Sequence, residues 1–155
     1  DDANLYLFAD VTDPTPLQNS IEGANIWNAD AIEIFISPEI KLSPSGGLRF
    51  SDRHIILAMR EAADGVVLRN APEGRKPEGV KYAVSARPDG TGYQVEAAIP
   101  WSVVDITPAM EAELSFDLAI DDGETPRRRE RQSMWNGSRQ NSTSSDNWGR
   151  LRLIQ

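Results

Sequence analysis

Apolar and polar residues alternate along much of this chain with a period of two, the repeat of a β-strand with one buried face. The alternation is clearest over residues 5–11 and residues 31–36. In the first segment, one face would carry Leu5, Leu7, Ala9 and Val11. In the second segment, the three isoleucines share one face and Glu33 lies on the opposite one. Both segments are therefore predicted to be strands whose apolar side chains point into a core.

Seven further segments have the length and composition of short strands. They are residues 54–59, 66–69, 80–87, 93–99, 114–120, 132–135 and 151–154. Turn-forming clusters rich in Pro, Gly and Ser separate many of them, and only residues 102–104 have the pattern of a helical turn. With 155 residues, the chain is the size of one domain. About nine short strands predict an all-β fold, an antiparallel β-sandwich of the jelly-roll or immunoglobulin-like type.

Charge and residue counts restrict the chemistry that this domain can perform. Sixteen Lys and Arg against 24 Asp and Glu leave a net charge of −8, which argues against a nucleic-acid partner. No segment approaches the roughly 20 apolar residues of a membrane span, so no membrane partner is expected. The absence of cysteine excludes disulfides and thiol catalysis, and the single histidine excludes a zinc site with several histidines.

A basic run interrupts this acidic sequence. Residues 127–131 include four arginines, in a long segment rich in Ser and Asn. The arginines could bind an anionic ligand. In a protein with so many carboxylates, however, such residues are more often solvated or paired with acids of the same chain.

The tryptophans divide between core and loop positions. Trp101 and Trp135 follow strand patterns and are expected in the core. Trp148 precedes a glycine at the entry to a strand, so packing is expected there too, although it could supply an aromatic binding surface. Trp27 lies in a polar loop, which favours a functional role.

Several sequence motifs follow one another in an order that identifies a family resemblance. They are Leu5-Tyr6-Leu7, Val11-Thr12-Asp13, and residues 27–36, 93–101, 114–122, 133–135 and 148–153. Over nearly the whole chain these motifs resemble the family-nine carbohydrate-binding modules, which belong to a wider group of DOMON-like β-sandwiches. The resemblance implies a non-catalytic module that binds a poly- or oligosaccharide and targets or supports an attached polysaccharide-active enzyme, such as a glycoside hydrolase.

The same resemblance implies a location and a domain organisation. Such modules belong to secreted or periplasmic enzymes, so we expect an extracellular or periplasmic bacterial protein. The family usually opens with an extra segment before the Leu-Tyr-Leu strand, and this sequence lacks it. We therefore expect residues 1–155 to be a single module of a larger protein, with a catalytic domain in the same polypeptide.

In the sugar-binding members of this family, two aromatic side chains enclose the terminal sugar and polar side chains bind its hydroxyls. Trp27 matches the first aromatic wall, Glu33 matches a carboxylate that binds hydroxyls, and Asn141 lies near the position of an amide. The second wall belongs to a loop that here comprises residues 136–147 and has no aromatic residue. We therefore expect a weak, one-walled site beside Trp27, closed by this loop.

Four further residues bear on this site. Arg139 suits hydroxyl recognition, and His54, on the strand after a glycine-rich loop, could donate to a sugar oxygen. Ile56 and Ala58 stand where sugar-binding members carry Arg and Asn. These departures and the missing wall favour an alternative function, a structural or protein-interaction sandwich of a larger enzyme that has lost the sugar site.

A third interpretation is haem binding, because the wider group includes electron-transfer domains whose iron takes Met and His ligands. Here His54 and Met59 have opposite strand parity and would lie on opposite sides of one strand. This geometry makes haem the weakest of the three interpretations.

No cofactor is required by the binding-module interpretation, although several related modules carry structural calcium. Asp10 and Asp13, or Asp121, Asp122 and Glu124, could supply the oxygen ligands that Ca²⁺ prefers. Glycoside hydrolysis would need a pair of facing carboxyl groups with different pKa values, and no such pair is marked in the sequence. An enzyme is therefore not expected.

Overall fold

The computed structural model describes residues 1–15 and 17–154 and confirms a nearly all-β fold. In this part of the chain the strands are β1 (Asn4–Thr12), β2 (Ala31–Ser37), β3 (Arg53–Ala58), β4 (Val66–Arg69), β5 (Lys81–Ala86), β6 (Gly92–Pro100), β7 (Glu113–Asp122), β8 (Arg131–Met134) and β9 (Gly149–Arg152). Each coincides with a predicted strand to within a few residues. No helix among the described residues has the length and apolar character needed to cross a membrane.

The strands form two antiparallel sheets. The smaller sheet has the order β1-β6-β5, and the larger sheet has the order β4-β3-β2-β7-β8. Strand β7 is long enough to serve two partners on one edge, with β8 paired along residues 119–122 and β9 along residues 113–116. The two sheets form the predicted β-sandwich.

The main core lies between the inner faces of the sheets. The isoleucines of β2 lie at its centre with Tyr93, Val95 and Ile99 of β6, and the alternate apolar residues of β1 pack against them, as predicted. Burying an aliphatic side chain of this size contributes about 1.5–3 kcal/mol, so the isoleucine face of β2 fixes which side of the strand is inward. Met59 also lies in this core.

The outer face of the larger sheet is covered as well. Every residue of β2 and β3 is buried, although alternation alone predicts that half of them face water. Two 3₁₀ helices that the sequence did not predict, Gly23–Asn28 and Arg139–Ser142, lie in the loops that border this face. The predicted helical turn at residues 102–104 is instead part of a hydrogen-bonded turn after β6.

Two of the three core or packing predictions for tryptophan are confirmed and one is wrong. Trp101 is buried and its indole N–H donates to the carbonyl of Asp1 at 2.9 Å, and Trp148 packs against Phe35 with ring centroids 5.5 Å apart. Trp135, expected in the core, is 58% exposed. It lies one residue beyond the end of β8, where strand parity no longer decides its direction, and it rests on Gly149.

Candidate functional site

A cleft of about 130 Å³ opens on the outer face of the larger sheet. The sheet contributes its floor through β2, β4 and β8, and the loops after Gly23 and Asn136 form its sides. The lining residues are Trp27, Glu33, Phe35, Arg69, Arg129, Gln132, Met134, Ser138, Arg139, Asn141 and Ser142. Four of the five residues predicted for the site therefore line one cleft.

Glu33 is a fixed carboxylate at the floor of this cleft. It is only 4% exposed, and it accepts hydrogen bonds from Gln132 Nε2 at 2.8 Å and from Arg129 Nη1 at 3.3 Å. His54 Nε2 lies 2.5 Å from the other carboxylate oxygen. Burial acts to raise the pKa of Glu33, but the hydrogen bond and charge of His54, together with Arg129, hold that pKa below its ordinary value.

His54 lies behind Glu33 and does not line the cleft. Its ring stacks on Phe35 with a centroid distance of 4.3 Å and is almost completely buried. It therefore positions the carboxylate, and the direct sugar contact predicted for it would require the neighbouring side chains to move. Met59, the residue after β3, lies in the core between the sheets, so His54 and Met59 lie on opposite sides of the larger sheet, as their parity predicted.

Trp27 is half-buried on the first 3₁₀ helix, and one side of it packs on a small apolar cluster. This cluster includes Ile56 and Ala58, the two residues that replace the Arg and Asn of sugar-binding members. The guanidinium carbon of Arg129 lies 4.8 Å from the centre of the Trp27 ring, which is the geometry of a cation–π contact. Among the described lining residues, no second exposed aromatic ring faces Trp27, since Phe35 is buried in the floor.

The loop after β8 is held in place by Asp117. The Asn141 amide donates to Asp117 Oδ2 at 2.7 Å, and the backbone N–H of Gly137 donates to the same oxygen at 2.6 Å. Any side chain at position 137 would overlap this oxygen, because a Cβ there would lie 2.6 Å from it. Asn141 is therefore committed to the loop, while Arg139 is exposed and reaches the cleft.

Arg69, Arg129 and Gln132 are cleft residues that the sequence analysis did not select. For Gln132, the signal in the sequence was strand parity, which places it on the same face of the strand as Met134. For Arg129, the signal was its position in the basic run. Arg129 Nη1 also donates to Asp121 Oδ1 at 2.7 Å. Burial and the neighbouring charge of Glu33 raise the pKa of Asp121 to about 9.

A separate acidic cluster lies where the two sheets meet. Carboxylate oxygens of Asp13, Asp30 and Asp122 all lie within 4.8 Å of one another. Asp30 accepts backbone N–H groups of Gln18 and Gly123, each at 2.7 Å. Burial, opposed in part by these hydrogen bonds, raises the pKa of Asp30 to about 6.

This cluster differs from both predicted calcium groups. Asp10 pairs with Arg87, Glu124 with Arg131 and Asp121 with Arg129, so each of these acids already has an arginine partner. Asp13 and Asp122, from the two predicted groups, meet Asp30, and Asp122 also pairs with Arg131 at 3.3 Å. The buried hydroxyl of Tyr93 has no hydrogen-bond partner in the described part of the chain, and burial together with the charges of Asp30 and Asp13 raises its pKa. Three carboxylates and a nearby unpaired hydroxyl are oxygen donors of the kind that Ca²⁺ prefers.

Comparison with known families gives one match that spans the whole chain. Residues 1–155 match the family described as carbohydrate family 9 binding domain-like. Among curated proteins, none matches the chain.

Solved structures share the architecture. A carbohydrate-binding module of family 9 from Caldicellulosiruptor kristjanssonii, solved in complex with cellotriose, aligns with a TM-score of 0.75 at 18% identity, covering 99% of this chain and 70% of that one. The same module in complex with glucose gives a TM-score of 0.75 at 18% identity, covering 98% and 71%. A proposed carbohydrate-binding protein from Bacteroides uniformis aligns with a TM-score of 0.62 at 12% identity, covering 98% and 74%. At these identities the likeness establishes the fold.

Proposed function

Because the chain belongs to the carbohydrate family 9 binding domain-like family, we propose that it is a non-catalytic module that binds a glycan in the cleft beside Trp27 and Glu33. The observation that carries the proposal is the single cleft in which Trp27, Glu33 and Arg139 meet. The buried Glu33 carboxylate accepts hydrogen bonds from Gln132 and Arg129 and so orients both side chains at the floor of this cleft. A sugar in the cleft would meet these oriented polar groups beside the Trp27 ring.

The other lining groups suit sugar hydroxyls in complementary ways. The Gln132 amide donates to Glu33, which leaves its carbonyl oxygen as an acceptor. Arg139 and Ser142 offer donors on the opposite side of the cleft. With one aromatic surface that is already shared with Arg129, stacking contributes on the order of 1–3 kcal/mol at most. We therefore expect dissociation constants on the order of 0.1–1 mM.

The test is binding of the purified chain to a broad set of soluble oligosaccharides by isothermal titration calorimetry. The set includes cellotriose and glucose, the ligands of the Caldicellulosiruptor module. Trp27→Ala should abolish binding, because it removes both the stacking surface and the support of Arg129. Trp135→Ala is the matched control, since it removes an exposed indole outside the cleft and should leave the affinity unchanged.

Two results would contradict the sugar site. One is that the wild-type chain binds no glycan. The other is that Trp27→Ala and Trp135→Ala weaken binding equally, with both variants still folded by circular dichroism. Gln132→Ala provides a second cleft variant, because Gln132 is only partly buried at the edge strand β8 and its loss should weaken binding without unfolding the domain.

One observation favours a second function. Arg129 covers one face of the Trp27 ring, and no second exposed aromatic ring faces Trp27 among the described lining residues. A cleft whose aromatic surface is already occupied by Arg129 suits a structural or protein-interaction sandwich that supports a neighbouring domain. This function predicts a folded chain that fails to bind any glycan and that stabilises its catalytic neighbour when both are present in one polypeptide.

We also propose that the chain acts next to a polysaccharide-active enzyme in the same polypeptide, outside the bacterial cytoplasm. The family resemblance supports this location, and the absence of cysteine is compatible with it. The complete gene provides the test. An export signal and a catalytic domain in its product would agree with the proposal, and a product without an export signal would contradict it.

We further propose that Asp13, Asp30 and Asp122 hold a structural calcium ion. The ion would offset the mutual repulsion of three close carboxylates. The unpaired Tyr93 hydroxyl would be a further oxygen donor close to the ion. The three acids follow β1, precede β2 and end β7, so a bound cation would connect the smaller sheet to the larger one. Its role would be stability and not sugar chemistry, because Glu33 and Trp27 belong to the separate cleft.

A further inference from the structure

We infer that the cleft selects glycans whose sugar units carry a carboxylate, that is, uronic acids. The inference rests on the proposed glycan-binding function and narrows its ligand. Three arginines line the cleft against a single carboxylate, that of Glu33. This excess of positive charge occurs in a chain whose net charge is −8. A local field opposite in sign to the whole molecule indicates an anionic ligand at this place.

The three arginines are not equivalent. Arg129 is neutralised within the protein, because it pairs with the ionised Glu33 at 3.3 Å, and it also donates to Asp121 at 2.7 Å. Arg139 and Arg69 form no ion pair within residues 1–15 and 17–154. Arg69 donates to the backbone carbonyl of Ala24 at 2.5 Å, which fixes its side chain without cancelling its charge. Two guanidinium groups thus remain available to a ligand.

A carboxylate matches these groups better than a hydroxyl does. The guanidinium presents parallel N–H donors in a plane, and a carboxylate accepts two of them at once with full opposite charge. A neutral sugar gains no such charge term. It would also depend on stacking against Trp27, whose ring already contacts Arg129. The cleft therefore offers more to the acid group of a sugar than to its apolar face.

The basic run contains a natural comparison residue. Arg127 lies two residues before Arg129 but does not line the cleft, and its side chain is exposed. Like Arg139, it forms no ion pair within residues 1–15 and 17–154. If attraction to an acidic glycan were only a property of surface arginines, Arg127 would contribute as much as Arg139. If the cleft is the site, only the lining arginines matter.

The experiment compares galacturonic acid oligosaccharides with the same oligosaccharides as methyl esters, which keep the sugar and remove the charge. Calorimetry with the intact chain should give at least about tenfold tighter binding to the acid form, and this preference should shrink as salt is raised. Arg139→Gln and Arg69→Gln should each reduce the acid-to-ester ratio towards one while binding of the ester remains. Arg127→Gln should leave the ratio unchanged.

Three outcomes would overturn the inference. Equal affinity for acid and ester would overturn it and leave the proposed glycan-binding function standing. Tighter binding of a sulfated oligosaccharide than of any uronate would overturn the choice of carboxylate. Failure to bind acid, ester, cellotriose or any other neutral sugar would overturn the proposed function together with the inference.

Discussion

At the scale of single residues, Glu33 shows which properties of a site residue can be predicted from its neighbours in sequence. Strand parity correctly predicted that Glu33 faces away from the main core. It could not predict that the residue is buried, because its partners Arg129 and Gln132 lie almost a hundred positions later in the chain. Alternation reports the direction of a side chain from its neighbours, whereas burial depends on which distant loop covers that face.

Replacing Glu33 with glutamine should destabilise the domain at neutral pH. The change removes the charge that offsets buried His54 and Arg129, and we expect a loss on the order of 1–3 kcal/mol in the free energy of unfolding. Because the pKa of Glu33 is lowered in the folded state, its stabilisation is complete above 4.5, the ordinary pKa, and is lost as the pH falls through the lower folded value. Wild type and Glu33→Gln should therefore become equally stable in acid.

Urea unfolding at a series of pH values measures this difference. The groups that face Glu33 are His54 of β3, Asp121 of β7 and Arg129 of the loop before β8, and all are unchanged in the variant. Glu73→Gln is the control, since this exposed glutamate should show no difference at any pH. A stability gap for Glu33→Gln that does not shrink as the pH is lowered below 4.5 would show that the charge is not responsible.

At the scale of elements, the strands were predictable and the irregular segments were not. A period of two over several residues is a local signal, and each of the nine predicted strands is present in the described chain. The 3₁₀ helices carry no such signal, since the helix Arg139–Ser142 depends on the contact between Asn141 and Asp117 of β7. Trp135 was misplaced for a related reason, because its surroundings at Gly149 and Phe116 are formed only in the folded sheet.

The pairing of β1 with β6 depends on one glycine. Gly92 has φ of +155°, and a Cβ at this position would lie 1.9 Å from the carbonyl oxygen of Val11. Gly92→Ala must therefore push the two strands apart where Gly92 pairs with Thr12, and we expect a loss on the order of 3 kcal/mol.

Gly74→Ala is the matched control for this variant. Gly74 also has a positive φ, +79°, but a Cβ there would meet nothing within 4 Å. Its replacement should cost only the backbone strain, about 1 kcal/mol. Chemical denaturation of both variants gives the comparison, and equal losses would mean that the approach of Val11 is not the cause.

At the scale of the whole molecule, the resemblance to the family supplied what local patterns could not. Alternation identifies strands but does not assign them to sheets. The division into the smaller sheet β1-β6-β5 and the larger sheet therefore cannot be predicted from alternation. The acidic cluster is a feature of this scale, since its members lie at the ends of strands from both sheets. Asp13 and Asp122 were predicted in separate groups, and Asp30 was not predicted at all.

Removal of calcium should lower the thermal stability of the whole sandwich. An ion present at a hundred times its dissociation constant stabilises by about 2.7 kcal/mol, which in a domain of this size corresponds to roughly 5–10 °C in Tm. Differential scanning calorimetry with EDTA, followed by re-addition of Ca²⁺, measures the shift. Asp122→Asn should lose the response to EDTA while remaining folded, because Asp122 is the least buried of the three. An unchanged Tm in EDTA for a chain prepared with calcium would contradict the site.

The position of β6 in the chain also determines how long β1 remains without its partner strand during synthesis. Asn4 pairs with Pro100 and Thr12 with Gly92, so β1 is synthesised at least 80 residues before its partner. At about 5–20 residues per second, this separation is a wait of about 4–20 s. Throughout that wait β1 presents its apolar side chains without a sheet, including Tyr6 and Phe8, which stay 59% exposed even after folding. The interval in which a new chain is most prone to aggregate is therefore governed by the rate of translation to Pro100 and not by the stability of the finished sandwich.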